Sequence, residues 1–147
     1  MNAIHAVTLA LGLVTPLASL AADHEVQMLN KGDDGGRMVF EPLVVNANPG
    51  DTITFVATDK SHNSASMKDG IPKDAEDWKG KPNEEITVTV SEPGVYMYEC
   101  TPHKSMGMIG AIVVGEPINL DAVKKVKYPG KAASTAEDIF AVIEAGS

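Results

Sequence analysis

The sequence predicts a mainly β domain, a sandwich or small barrel of antiparallel type, followed by two C-terminal α-helices. Three observations lead there. From Asp23 to Val114, short runs rich in Val, Ile, Thr, Tyr and Phe are separated by clusters of Gly, Pro, Asn and Asp. Beyond Gly115 the apolar spacing lengthens to three and four residues, the helical period. The chain has 147 residues and is 44% hydrophobic, which suits one globular domain.

The first segment, Met1 to Ala21, holds no Asp, Glu, Lys or Arg, and its apolar core runs from Ala6 to Leu20. It ends in Ser19-Leu20-Ala21, with small residues at the positions a signal peptidase reads. We expect a secretory leader over 1–21 and a single domain over 22–147 with a C-terminal helical extension. The apolar run is shorter than the roughly 20 residues needed to span a bilayer, so no membrane insertion of the mature chain is expected and the chain is expected to be exported.

Glu25 to Leu29 alternates, and Asn30 to Gly36 reads as a turn. Arg37 to Asn46 is extended, with Pro42 marking an edge or bulge because it has no N–H to give a ladder. Pro49-Gly50-Asp51 turns the chain into Thr52 to Thr58, where Ile53 and Phe55 alternate with threonines. Glu85 to Val90, Val95 to Cys100 and Ile109 to Val114 complete the strands. Ser66 to Asn83 breaks the pattern and reads as a long loop with one helical turn around Asp74 to Trp78, anchored by Trp78. Asn119 to Lys127 carries Leu120, Val123 and Val126. Ser134-Thr135-Ala136-Glu137 has the form of a capping box before Ile139, Phe140 and Ile143. Both helices should pack their apolar stripes back onto the domain.

With 20 acidic and 12 basic residues the net charge is −8, which excludes a nucleic-acid-binding surface spread over the whole chain. The single cysteine, Cys100, has no partner for an internal disulfide. It opens the segment Cys100-Thr101-Pro102-His103-Lys104-Ser105-Met106-Gly107-Met108, which brings a thiol, an imidazole and two thioethers into one loop. Soft and borderline donors of this kind select a late transition ion over calcium or magnesium. Pro102 restricts the backbone between Cys100 and His103, and Gly107 permits the turn that returns Met108. A second imidazole, His62, follows the Thr52 to Thr58 strand. Two nitrogens and one sulfur with Met108 as a weak axial donor make a copper electron-transfer set, whereas structural zinc sites rarely use a thioether.

These motifs resemble those of the cupredoxins, the type 1 blue copper family. The Cys100 to Met108 loop marks the superfamily. Met28-Leu29-Asn30-Lys31-Gly32, Met38-Val39-Phe40-Glu41-Pro42, His62-Asn63 and the two terminal helices resemble the pseudoazurin subgroup. The resemblance implies an eight-stranded Greek-key sandwich with one type 1 copper, cycling between Cu(I) and Cu(II), on His62, Cys100, His103 and Met108. It further implies a non-enzymatic role, electron transport in the periplasm, with a copper nitrite reductase, a c-type cytochrome or a similar redox protein docking near His103. By the same resemblance Asn63 ties the His62 segment to the Cys100 loop, Met38 packs on the His103 ring, and Met106 belongs to the surface.

Pro102, Met106 and Ile109 lie near His103 and suggest an apolar port. Matching the family pattern, Lys31, Lys60 and Lys79 are candidates to steer an acidic partner, with Lys104 adding a charge inside the loop. Glu99 departs from the family pattern, in which a basic residue commonly precedes the ligand cysteine. Met28, Met67 and Met97 are expected in the core. A chain beginning at Ala22 also offers its amine, two amide nitrogens and the His24 imidazole as a square-planar set for a second copper. A copper storage or chaperone protein and a Cys-His thiol enzyme are the competing readings. As a transient shuttle the protein is expected to be monomeric.

Overall fold

The computed structural model describes residues 20–146. The leader expected over 1–21 lies outside them apart from Leu20 and Ala21. Eight strands form two four-stranded sheets. The first has the order β2 (Arg37–Glu41), β1 (Asp23–Lys31), β4 (Asp51–Val56), β6 (Ile86–Val90). The second has the order β3 (Val44–Ala47), β8 (Ile109–Val114), β7 (Gly94–Glu99), β5 (Ala65–Ser66).

Each sheet contains one parallel pair, which the alternation of residues did not reveal. β1 runs parallel to β4, with Val26 opposite Phe55, and β3 runs parallel to β8, with Val45 opposite Ile112. The cause is the change of sheet at Pro42. The single extended stretch expected over 37–46 is two strands, one in each sheet, so the strands that follow return beside non-consecutive neighbours.

Burial patterns report the layers. β4 alternates strictly because only one of its faces meets the core, and Ile53 and Phe55 are fully buried. β7 is buried almost throughout. Its Tyr96 and Tyr98 face the sandwich interior with Phe40, Phe55 and Cys100, while Val95 and Met97 face a second cluster formed with Val123, Ile139, Phe140 and Ile143. The helical tail is therefore a third layer over the second sheet, and each large apolar side chain it buries contributes about 1.5–3 kcal/mol. Met28, Met67 and Met97 are core residues, as expected.

Three local expectations are corrected. The helix expected over 119–127 is a single turn, α1 (Leu120–Val123), which tightens into three-residue bonds from Lys125 N to Ala122 O and from Val126 N to Val123 O. The second helix, α2 (Ala132–Ala145), begins ahead of the capping-box signature, because the Pro129-Gly130 turn already starts it. Ser134 and Thr135 instead donate their hydroxyls back to the Lys131 carbonyl. The 66–83 loop contains no helical turn at 74–78. It bends where Ala75 N–H meets Pro72 O, and Trp78 does anchor it, stacked on Phe55 with its indole N–H donating to Ser64 Oγ. Among the described residues no helix is long and apolar enough to cross a membrane.

Candidate metal centre

At one end of the sandwich the loop after β4 meets the loop between β7 and β8. The first is held from both sides. Asp59 N–H donates to Met28 O, Ser61 N–H to Asn83 Oδ1, and Asn83 N–H to His62 O. The second is closed at its base by Cys100 N–H donating to Met108 O at 3.0 Å. Between those residues runs a 3₁₀ turn, Lys104–Met106, followed by Gly107 at φ 98°. Glycine is required there for two reasons, the left-handed backbone and a close approach to α2, since a Cβ would lie 2.9 Å from Thr135 Oγ1.

This framework brings three donors face to face. His62 Nδ1 lies 3.0 Å from His103 Nδ1, and Cys100 Sγ lies 3.7 Å from the first nitrogen and 3.5 Å from the second. Such separations suit donors sharing one ion at bonds of about 2.0–2.3 Å. His62 Nε2 is 2.9 Å from Asn30 Oδ1. Because that oxygen only accepts, Nε2 carries the ring proton and Nδ1 presents its lone pair inward.

His62 and Cys100 are fully buried, while His103 is half-buried. Burial pushes the Cys100 thiol up, against backbone N–H groups of Asn63 and His103 that favour the thiolate, and the Glu99 charge adds to the rise. Burial likewise holds the His62 imidazole below its ordinary value, with the charge of His103 acting in the same direction and that of Asp59 against it. A sulfur anion at such a position is stable only against a cation. Neutral imidazoles facing it are donors for the same cation, so the side chains fit a thiolate-binding metal.

Met108 is fully buried in the cluster that contains Cys100, and its N–H donates to His103 O. Met106 is 47% exposed, on the surface as expected. Asn63 joins the two loops. Thr101 N–H donates to its Oδ1 at 2.8 Å, and its Nδ2 donates to Gly80 O and to Thr101 Oγ1. Met38 is half-buried and packs against the main core. Lys31, Lys60 and Lys79 are exposed, and Lys79 borders a groove of about 430 Å³ together with Lys81, Pro82 and Pro102.

Several contributors were not anticipated from the sequence. Asn30 was noted only as part of a motif, yet it orients His62. Glu99 and Lys104, treated separately, form an ion pair. The tail clamps the loop, since Lys131 N–H donates to Ser105 O and a Cβ at Gly130 would collide with that carbonyl. The adjacent Pro129-Gly130 was the available signal for a tight approach, but its partner lies far away in sequence.

Over residues 26–115 the chain matches the copper binding proteins of the plastocyanin/azurin family. It is 52% identical over 131 residues to pseudoazurin of Paracoccus pantotrophus, covering 87% of this chain and 90% of that relative. Among solved structures, a pseudoazurin from Sinorhizobium meliltoi superposes with a TM-score of 0.84 at 67% identity, covering 86% of this chain and 99% of that one. Native pseudoazurin from Hyphomicrobium denitrificans superposes with a TM-score of 0.79 at 39% identity, covering 82% and 97%.

Proposed function

Because the chain belongs to the copper-binding plastocyanin/azurin family and, within it, to the pseudoazurins, blue copper electron carriers and not enzymes, we propose that it shuttles single electrons between periplasmic redox partners. His62 Nδ1, Cys100 Sγ and His103 Nδ1 would hold one type 1 copper, with the Met108 thioether as a weak axial donor. The observation that carries this reading is the convergence of two Nδ1 atoms and one Sγ within 3.0–3.7 Å. When bound, copper supplies the one-electron change between Cu(I) and Cu(II).

The protein's own residues make that change easy. The Asn63 bonds, the Cys100–Met108 backbone bond and the Asn30 contact fix the donors before any ion arrives, so little must move when charge changes. Cys100 and Met108 are shut off from water, while the half-buried His103 leaves the interior beside Pro102 and Met106. We assign the electron port to that edge, with Lys31, Lys60 and Lys79 as rim charges for an acidic face on a copper nitrite reductase or a c-type cytochrome. Export through the 1–21 leader and a monomeric state complete the proposal. A thiol enzyme is disfavoured, because a nucleophilic cysteine needs access and a lowered pKa and Cys100 has neither.

Optical and EPR spectra of the copper-loaded protein test the proposal. An intense blue thiolate-to-copper band is expected, and Cys100→Ser should be colourless. A colourless wild-type protein with full copper occupancy would overturn the assignment.

A further inference from the structure

At the other end of the first sheet, where the inner strands β1 and β4 begin, the start of β1 converges on one buried carboxylate. Asp51 is 1% exposed. Its Oδ1 accepts from Ala22 N at 2.8 Å, and its Oδ2 lies 2.9 Å from His24 Nε2 and accepts from Asn48 N–H at 2.8 Å. These bonds hold the Asp51 carboxyl down at about 2, so it is ionised at any ordinary pH. Cleavage after Ala21 would turn the Ala22 nitrogen from an amide into a free amine, a donor with a lone pair once deprotonated. An amine and an imidazole would then flank one carboxylate, the Ala22 nitrogen at Oδ1 and His24 Nε2 at Oδ2.

We propose that the processed chain carries a second divalent-cation site, formed by the Ala22 amine, His24 Nε2 and the Asp51 carboxylate and separate from the Cys100 centre. The inference rests on the leader cleavage proposed above. Each nitrogen lies 2.8–2.9 Å from an oxygen of Asp51, a spacing open to two ligands of one ion at bonds of about 2.0–2.2 Å, with the carboxylate bridging the amine and imidazole sides. A cation there takes the place of the proton on the amine and of the one shared between His24 and Asp51. Nitrogen and oxygen donors of this kind favour Cu²⁺ or Zn²⁺ over Mg²⁺ or Ca²⁺. His24 is partly exposed, at 27% of its side chain, which provides an entry path.

The site differs from the square-planar chelate that the sequence suggests for the same residues. That chelate requires the amide nitrogens of the first residues, but Asp23 and His24 pair with Thr52 and Ile53 in the sheet and the His24 ring is turned to Asp51 by Nε2. Binding through Asp51 leaves the strand in place.

The test uses exported, copper-loaded protein whose intact mass shows Ala22 as the first residue, titrated with Cu²⁺ and followed by calorimetry and EPR. We expect one additional equivalent with an axial signal distinct from the blue centre, whose absorption stays unchanged. His24→Gln and Asp51→Asn should each weaken that equivalent at least tenfold. Unchanged binding in His24→Gln overturns the site, and loss in His24→Gln with full retention in Asp51→Asn overturns it in favour of the amide chelate. A mature chain starting elsewhere overturns its premise while the blue centre stands. If Asp51→Asn fails to fold, a chain with one Gly added before Ala22 displaces the amine and should show the same tenfold loss; full affinity there also refutes the proposal.

Discussion

Glu99 Oε2 lies 2.8 Å from Lys104 Nζ, so the acid preceding the buried thiol is matched by the base following the half-buried imidazole. The Lys104 charge is thereby paired locally with Glu99. The pair is partly solvated, with one third of the Lys104 side chain exposed, and exposed pairs contribute about 0.2–1 kcal/mol.

Glu99→Gln should therefore leave the denaturation midpoint nearly unchanged while freeing one positive charge beside the port. The expected outcome is a steeper fall of electron-transfer rate with added salt against an acidic redox protein, measured by stopped flow. Equal salt slopes for wild type and variant would show that Lys104 lies outside the encounter surface.

Asn63→Ala should be far more costly. It leaves the Thr101 N–H and the Gly80 carbonyl without their partner and separates the two ligand loops. A loss of about 2–4 kcal/mol is expected from urea unfolding of the metal-free protein. Weakened copper retention against a chelator should accompany it.

Tyr98→Phe should have the opposite sign. Its hydroxyl is fully buried with no hydrogen-bond partner among the described residues, and burial drives its ionisation far above the ordinary tyrosine range. The ring alone makes the edge-on contacts to Phe40 and Phe55 at 4.8 Å. Removing the orphaned oxygen should be neutral or stabilise by about 1 kcal/mol, read from the guanidinium midpoint.

Asp51 sets an acid limb. Its carboxyl titrates at about 2 in the fold against an ordinary 3.8, so the unfolded chain takes up the proton first. The stabilisation is complete above about pH 4 and disappears as pH falls toward 2. Melting temperatures of wild type and Asp51→Asn should accordingly converge across that window, and parallel curves would remove Asp51 from the acid response.

Much of the candidate site was legible because its chemistry is concentrated in one loop. Cys100, His103 and Met108 sit between two strands, and no other sequence segment offers a thiol. His62 was legible only through its strand and its neighbour Asn63. Less legible were contacts between segments distant in sequence, such as Asn30 to His62 and Lys131 to Ser105, since neither residue type announces a partner. The strands were recognised from alternation, but a period of two carries no information about whether a neighbour runs parallel. The capping-box signature misled because Ser134 and Thr135 can bond backward as readily as forward, and the Pro129-Gly130 bend had already started the helix two residues upstream.

The grip of the tail on Ser105 ties the C-terminal helix to the loop that carries His103. Proteolytic trimming at Tyr128 would strip the helical layer from the second sheet and also unfasten the bend that follows the half-buried imidazole. A chain shortened in this way would lose both the cover of that sheet and the brace on the loop that holds His103.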